Sequence, residues 1–131
     1  FLYAVDNDIA ANKTPNRFLR VYQKFVGLVD DSIPNCSIIF IPIKPSPSRW
    51  KYWDNMKKAN SLVNEYIKKS PNQYYIDTAS PMINDNGRPK SNLFISDSLH
   101  LSTEGYDLWS NIVHPLLEEV ITKDKWKLFN W

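Results

Sequence analysis

Asp97 and His100 stand three residues apart in the polar stretch Ser96-Asp97-Ser98-Leu99-His100-Leu101-Ser102. A carboxylate and an imidazole so spaced on one loop can hydrogen-bond. The carboxylate accepts one ring N–H and leaves the other ring nitrogen free to take a proton. That pair is the relay half of a Ser-His-Asp hydrolase site. Asp-x-x-His also arises often by chance, and a solvated loop accounts for it equally well, so the surrounding elements must decide. Asn7, in Asp6-Asn7-Asp8, directly follows an apolar run. Taken by itself it reads as a turn residue.

The elements that would position these groups alternate. Residues 1–5 are apolar and predict a buried strand that stops at Asp6. Thr14-Pro15 predicts a helix start, with the hydroxyl as N-cap and the proline where its missing N–H costs nothing. Phe18, Tyr22, Phe25, Val26 and Val29 recur at helical spacing, which predicts a helix over 15–30 with one apolar face. Ile38-Ile39-Phe40-Ile41 has the continuous β-branched and aromatic character of a strand covered on both faces. Lys44-Pro45-Ser46-Pro47-Ser48 must be a loop, because two prolines so close fit neither a helix interior nor a central strand. A second helix is predicted over 49–69, with Trp53, Met56, Asn60, Val63 and Ile67 as its buried stripe. Residues 74–77 predict a third strand, and Asp85-Asn86-Gly87 a turn. A last helix is predicted over 103–122, with Ser102 as N-cap and Glu104 in the first turn. Pro115 should kink it or break one backbone bond.

Strand, helix, strand, helix, strand, helix predicts a parallel sheet with covering helices, an α/β fold. Sites in such sheets lie at the carboxyl ends of the strands. The segments after Val5, after Ile41 and from Asp77 onward fall there, and the loop holding Asp97 and His100 can return to the same edge.

Composition narrows the classes further. The chain has 131 residues, 43% of them hydrophobic and 14% aromatic, which suits one folded domain over residues 1–131. The net charge is +2, from 16 basic and 14 acidic residues. That balance argues for neither nucleic acid nor an anionic surface as partner. No run has the length of a membrane span. The single cysteine, Cys36, reads as a small buried hydrophobe and leaves the compartment undecided.

Tyr3-Ala4-Val5-Asp6-Asn7-Asp8 resembles the third conserved block of the SGNH (GDSL-type) hydrolases, commonly Gly-x-Asn-Asp. The run from Ser96 to Tyr106 resembles their fifth block, an Asp-x-x-His leading into the last helix. The Lys44-to-Trp50 loop is similar to the corresponding loop of one bacterial branch. The resemblance covers essentially the whole chain but only the C-terminal half of the family's domain. It implies a three-layer α/β/α, flavodoxin-like sheet, here lacking its N-terminal strands, and a serine esterase or acylhydrolase acting on an ester-linked acyl group. By that resemblance His100 is the general base, Asp97 orients it, and Asn7 donates its amide to the oxyanion. No metal or organic cofactor is implied. Val5 replaces the usual glycine, which puts the local geometry of Asn7 in question.

The family's nucleophilic serine and second-block glycine have no counterpart here, and the resemblance places both upstream of Phe1. Ser46, Ser48, Ser80, Ser96, Ser98 and Ser102 lie in or beside loops, and none sits on a strand-to-helix elbow. The chain alone is therefore expected to be inactive, carrying base, orienter and one oxyanion donor. The expected partners are a small ester substrate and, because an apolar strand edge would be left open, a second copy of the chain or its N-terminal half. A non-catalytic α/β binding or assembly module is the competing reading. Trp50 and Trp53 fit a sugar platform but are more simply core at helical spacing. Arg49 reads as a surface residue, His114 as surface or half-buried, and Asp77 as a ligand for loop N–H groups.

Overall fold

The computed structural model describes residues 1–3 and 13–129, with side chains described through Thr122. Three short parallel strands form the sheet: β1 (Leu2–Tyr3), β2 (Ile38–Ile41) and β3 (Gln73–Tyr75), in the order β1-β2-β3. Leu2 is opposite Phe40, and Ile38 to Phe40 run opposite Gln73 to Tyr75. Side chains of a strand alternate between faces, so β2 needs apolar residues at every position to serve two layers. Ile38 and Phe40 point to one layer and Ile39 to the other.

On the first face lie α1 (Pro15–Ser32) and α2 (Trp53–Ile67). Thr14 caps α1 by accepting the Arg17 N–H at 3.3 Å, and Pro15 opens its first turn. Tyr22 and Val26 of α1 meet Met56, Ala59, Val63 and Ile67 of α2 over Phe40, which is fully buried. Fully burying a side chain of this size stabilises the fold by about 1.5–3 kcal/mol. On the opposite face α3 (Thr103–Phe129) lays Ile112, Val113, Leu116, Leu117 and Val120 against Ile39 and Ile76. The architecture is three-layer α/β/α, as the family resemblance implies, on the parallel sheet that the strand–helix alternation predicts. A smaller cluster of Met82, Leu93, Phe94 and Leu101, flanked by Leu108 and Trp109, packs under the loop that carries Asp97 and His100.

Four elements depart from the sequence reading, each for a local reason. The segment predicted to start a helix at Arg49 is instead a 3₁₀ helix, Pro47–Tyr52, with Arg49 at φ −113°, ψ 16°, and α2 begins only at Trp53. Pro45 and Pro47 hold this stretch extended on its N-terminal side. β3 ends before Asp77 because that carboxylate turns the chain, its Oδ1 accepting the N–H groups of Ala79 (3.2 Å) and Ser80 (2.9 Å). The last helix contains Pro115, as read, but runs beyond 122 to Phe129, since neither glycine nor a further proline follows to stop it. Cys36 is half-buried rather than buried, its Sγ 3.7 Å from the Ser37 carbonyl oxygen.

Asn60 is the polar member of the α2 stripe and is buried. Its amide oxygen accepts the Ile43 N–H and its amide nitrogen donates to the Ile43 carbonyl, both at 2.9 Å. One side chain thus stands in for a strand neighbour just beyond β2 and fixes where the Lys44 loop departs.

Candidate active site

The Asp97–His100 loop is built by its own backbone before any side chain pairs. Phe94 and Leu101 form an antiparallel bridge. Ile95 N–H donates to the His100 carbonyl at 3.0 Å, Ser98 N–H to the Ile95 carbonyl at 2.9 Å, and Ser102 N–H to the Leu93 carbonyl at 3.0 Å. Ser98 takes up a left-handed conformation, φ +58°, which a non-glycine residue adopts at a cost of about 1–2 kcal/mol. The turn aims its carbonyl outward, where it accepts the Ser48 N–H at 3.1 Å. The loop after β2 and the loop before α3 are thereby joined.

Within this frame Asp97 serves three donors. Oδ1 accepts the backbone N–H groups of Leu99 (2.8 Å) and His100 (2.9 Å), and Oδ2 lies 2.5 Å from His100 Nδ1. The ring hydrogen bond, then the two backbone ones, pull the Asp97 carboxyl down to about 2, so it is ionised at any working pH. An ionised carboxylate at Nδ1 can only accept, so Nδ1 carries the proton and Nε2 is left as the acceptor. The side chains of His100 and Asp97 are 69% and 42% exposed, so water screens their attraction. What the contact supplies is orientation of the ring.

Ser102 terminates the loop. Its Oγ donates to the Asn92 carbonyl at 2.7 Å and accepts the Gly105 N–H at 3.2 Å, which makes it the N-cap of α3. Asn92 Nδ2 donates to Glu104 Oε2 at 2.6 Å, closing the first turn from outside. Gly105 is required there, because a Cβ would lie 2.4 Å from the Leu93 carbonyl oxygen.

Of the three predicted site residues, the structure brings His100 and Asp97 together. Asn7, with Val5, lies outside the described residues. β1 does reach the same edge. Tyr3 Oη accepts from the buried Lys44 ammonium at 2.9 Å, and its ring meets Trp109 edge-on at 5.4 Å. Among the described residues no serine hydroxyl hydrogen-bonds the His100 ring. Ser46 is buried and Ser102 is committed as the cap. His114 is exposed, and Asp77 binds loop N–H groups, as read from sequence.

Sequence reasoning missed Lys44, which is 6% exposed, and the left-handed Ser98. A lysine between apolar residues and prolines was a usable signal for the first. Ser98 had none. Gly105 was also readable, as a residue unfavourable in a helix yet placed in the first turn. Trp50 and Trp53, read as core, are only half-buried and form an offset stack, ring centroids 6.0 Å apart and planes 18° apart.

A parallel sheet covered by helices on both faces, with a paired aspartate and histidine just ahead of its last helix, places the chain among three-layer α/β proteins. The profile of the GDSL-like lipase/acylhydrolase family matches residues 5–108, most of the chain, and the chain belongs to that family. No curated protein matches it. Among solved structures it is similar to a GDSL-like lipase from Bacteroides thetaiotaomicron, at 20% identity and a TM-score of 0.70, covering 89% of this chain and 60% of that one. It is also similar to a carbohydrate esterase family 3 structure from Talaromyces cellulolyticus, at 12% identity and a TM-score of 0.74, covering 92% and 57%. The chain thus spans 55–60% of the length of the solved structures it matches. At these identities the likeness establishes the fold, an α/β sheet of the SGNH type.

Proposed function

We propose that the chain carries the base half of a serine ester hydrolase that removes an ester-linked acyl group through an acyl-enzyme. The observation that carries this is the Asp97 carboxylate, pinned by two backbone N–H groups and aimed at His100 Nδ1. In this reading His100 Nε2 takes the proton of a serine hydroxyl as its oxygen attacks the ester carbonyl. The proton passes to the departing alkoxide, and water, deprotonated by the same nitrogen, then releases the acid. Asp97 holds the ring and stabilises the imidazolium that forms. Asn7 would donate to the oxyanion, where loss of one donor costs about 10²–10³ in rate. The serine is expected upstream of Phe1, as the family resemblance implies.

The test is fluorophosphonate labelling and hydrolysis of 4-nitrophenyl acetate, run on this chain and on the natively expressed protein, each with His100→Ala. Labelling and hydrolysis in the native protein, lost in His100→Ala, support the assignment. Hydrolysis by this chain alone, lost in His100→Ala, would show that the nucleophile lies within these residues. Unchanged activity in His100→Ala would remove the catalytic reading and leave the binding module.

A further inference from the structure

A cleft of about 620 Å³ opens between α2 and the segment following β3, and the proposed hydrolytic site does not account for it. Its volume is that of a small-molecule site. One wall is a single face of α2, where Trp53, Ser61 and Asn64 recur at helical spacing. The facing wall carries Tyr75 and Asp77. The side chains of Ser61 and Asn64 make no hydrogen bond among the described residues. Asp77 lines the cleft and spends only Oδ1 on the loop N–H groups among the described residues. Burial and then the Asp77 charge push the Tyr75 hydroxyl up to about 12, so it remains a neutral donor.

These groups define a ligand. The half-buried Trp53 indole, stacked on Trp50 and packed on the core, gives the lining an aromatic surface, and a hydroxyl, a carboxamide, a phenol and a carboxylate share that lining, so donors and acceptors are mixed. Lys57 and Asp77 bring opposite charges to the lining, which removes any preference for an ion. A long acyl chain would leave these polar groups unpaired, at about 1–3 kcal/mol for each one desolvated. A neutral sugar satisfies both features, stacking its C–H face on the ring and meeting the polar groups with hydroxyls.

The aromatic wall is also tied to the Asp97–His100 loop. Trp53 stacks on Trp50, whose ring has the Arg88 guanidinium 5.5 Å from its centroid. Trp50 belongs to the 3₁₀ helix Pro47–Tyr52, and Ser48 of that helix donates to Ser98 two residues before His100. We infer that this cleft is a saccharide subsite, and that the ester cleaved at His100 is borne on a neutral carbohydrate. The second clause rests on the hydrolytic reading above; the subsite itself does not.

Titration of this chain with xylobiose, cellobiose and maltose, followed by tryptophan fluorescence and amide chemical shifts, tests it. At least one disaccharide should bind saturably, shifting the Ser61 and Asn64 amides. Asn64→Ala, on an α2 position outside the core, should weaken binding about tenfold, the worth of about one good hydrogen bond. Trp53→Ala should weaken it further, and circular dichroism will show whether that variant folds. His100→Ala should bind as the unaltered chain does. No saturable binding of any disaccharide, or Asn64→Ala binding with unchanged affinity, overturns the subsite. Binding without ester hydrolysis in the native protein supports the subsite and removes the hydrolase. Hydrolysis of 4-nitrophenyl acetate without sugar binding does the reverse.

Discussion

Gly105→Ala should damage the site through the backbone, without touching a charged group. The new Cβ would lie 2.4 Å from the Leu93 carbonyl oxygen, and 3.0 and 3.1 Å from Cδ2 and Cβ of Leu101. An ordinary carbon–oxygen contact is about 3.3 Å or longer, so the helix start and the 91–94 segment must separate by about 1 Å. The Leu93 carbonyl cannot retreat freely, because it accepts the Ser102 N–H at 3.0 Å, and Leu93 is itself buried. Overpacking of this kind costs about 1–3 kcal/mol. Alanine's better helix propensity returns about 1 kcal/mol. The net expectation is a loss of up to about 2 kcal/mol, measured by urea unfolding of this chain.

The functional effect should exceed that loss. Ser102 ends the loop two residues after His100, so a shift of about 1 Å there displaces the ring, and misplacement on that scale costs about 10²-fold in rate. If the native protein is the proposed esterase, its kcat should fall by about that factor, with KM nearly unchanged. Gly105→Ala retaining both the unfolding midpoint and kcat would refute the claim that this close contact positions the histidine.

The remaining expectations are separable from this one. Asp97→Asn keeps an acceptor for Leu99 and His100 N–H but presents an amide to the ring, which favours the wrong tautomer. On the proposed hydrolytic reading the native protein should lose about 10⁴ in kcat while the fold persists, checked by steady-state kinetics and circular dichroism. The Asp97 carboxyl is depressed from 3.8 to about 2 by hydrogen bonds of the folded loop. Its contribution to stability is therefore fully present above the unfolded value and is lost as pH falls toward 2. Carboxyl ¹³C shifts should place its titration below that of ordinary aspartates, and a midpoint near 4 would contradict the hydrogen-bond geometry. Asn60→Leu strands the buried Ile43 N–H and carbonyl, and should destabilise by about 2–5 kcal/mol in urea unfolding. Val21, Phe25 and Leu28 form an exposed apolar stripe on α1, and among the described residues β1 has a ladder partner on one side only. This chain alone should associate in size-exclusion chromatography, with Leu28→Lys raising the monomer fraction; a compact, stable monomer would count against that.

The fold was legible wherever a local rule controls a long element. The Thr14-Pro15 start, the Ile38-to-Ile41 strand and the apolar face of α3 follow from capping and periodicity alone. The failures lie where a distant contact outweighs local preference. The segment from Pro47 to Tyr52 resembles a helix start, but it is held as 3₁₀ beside a loop fifty residues away in sequence, through the Ser48-to-Ser98 bond. Trp50 and Trp53 have helical spacing, yet the 3₁₀ turn swings Trp50 onto Trp53 and leaves both half-exposed. The pairing of Asp97 with His100 was readable because both ends of it lie in one turn. The bond network that holds that turn was not, since backbone groups carry no sequence signature.

That contrast explains why the proposed base and its orienting carboxylate can be held within seven residues. Asp97 closes the turn with one carboxylate oxygen and orients the ring with the other, so a single side chain fixes both the loop and its chemistry. With side chains this exposed, the Asp97–His100 contact itself adds little to stability. Selection on such a loop acts through geometry. A change that spares the charges but moves the backbone, as at Gly105, should be as harmful as one that removes an oxyanion donor. On the proposed hydrolytic reading the histidine then needs from the rest of the protein a hydroxyl brought to Nε2, donors for the oxyanion and a surface that holds the ester. The proposed subsite along α2 would supply that surface, because its lining Trp53 stacks on Trp50 and the 3₁₀ segment carrying Trp50 is hydrogen-bonded to the turn itself.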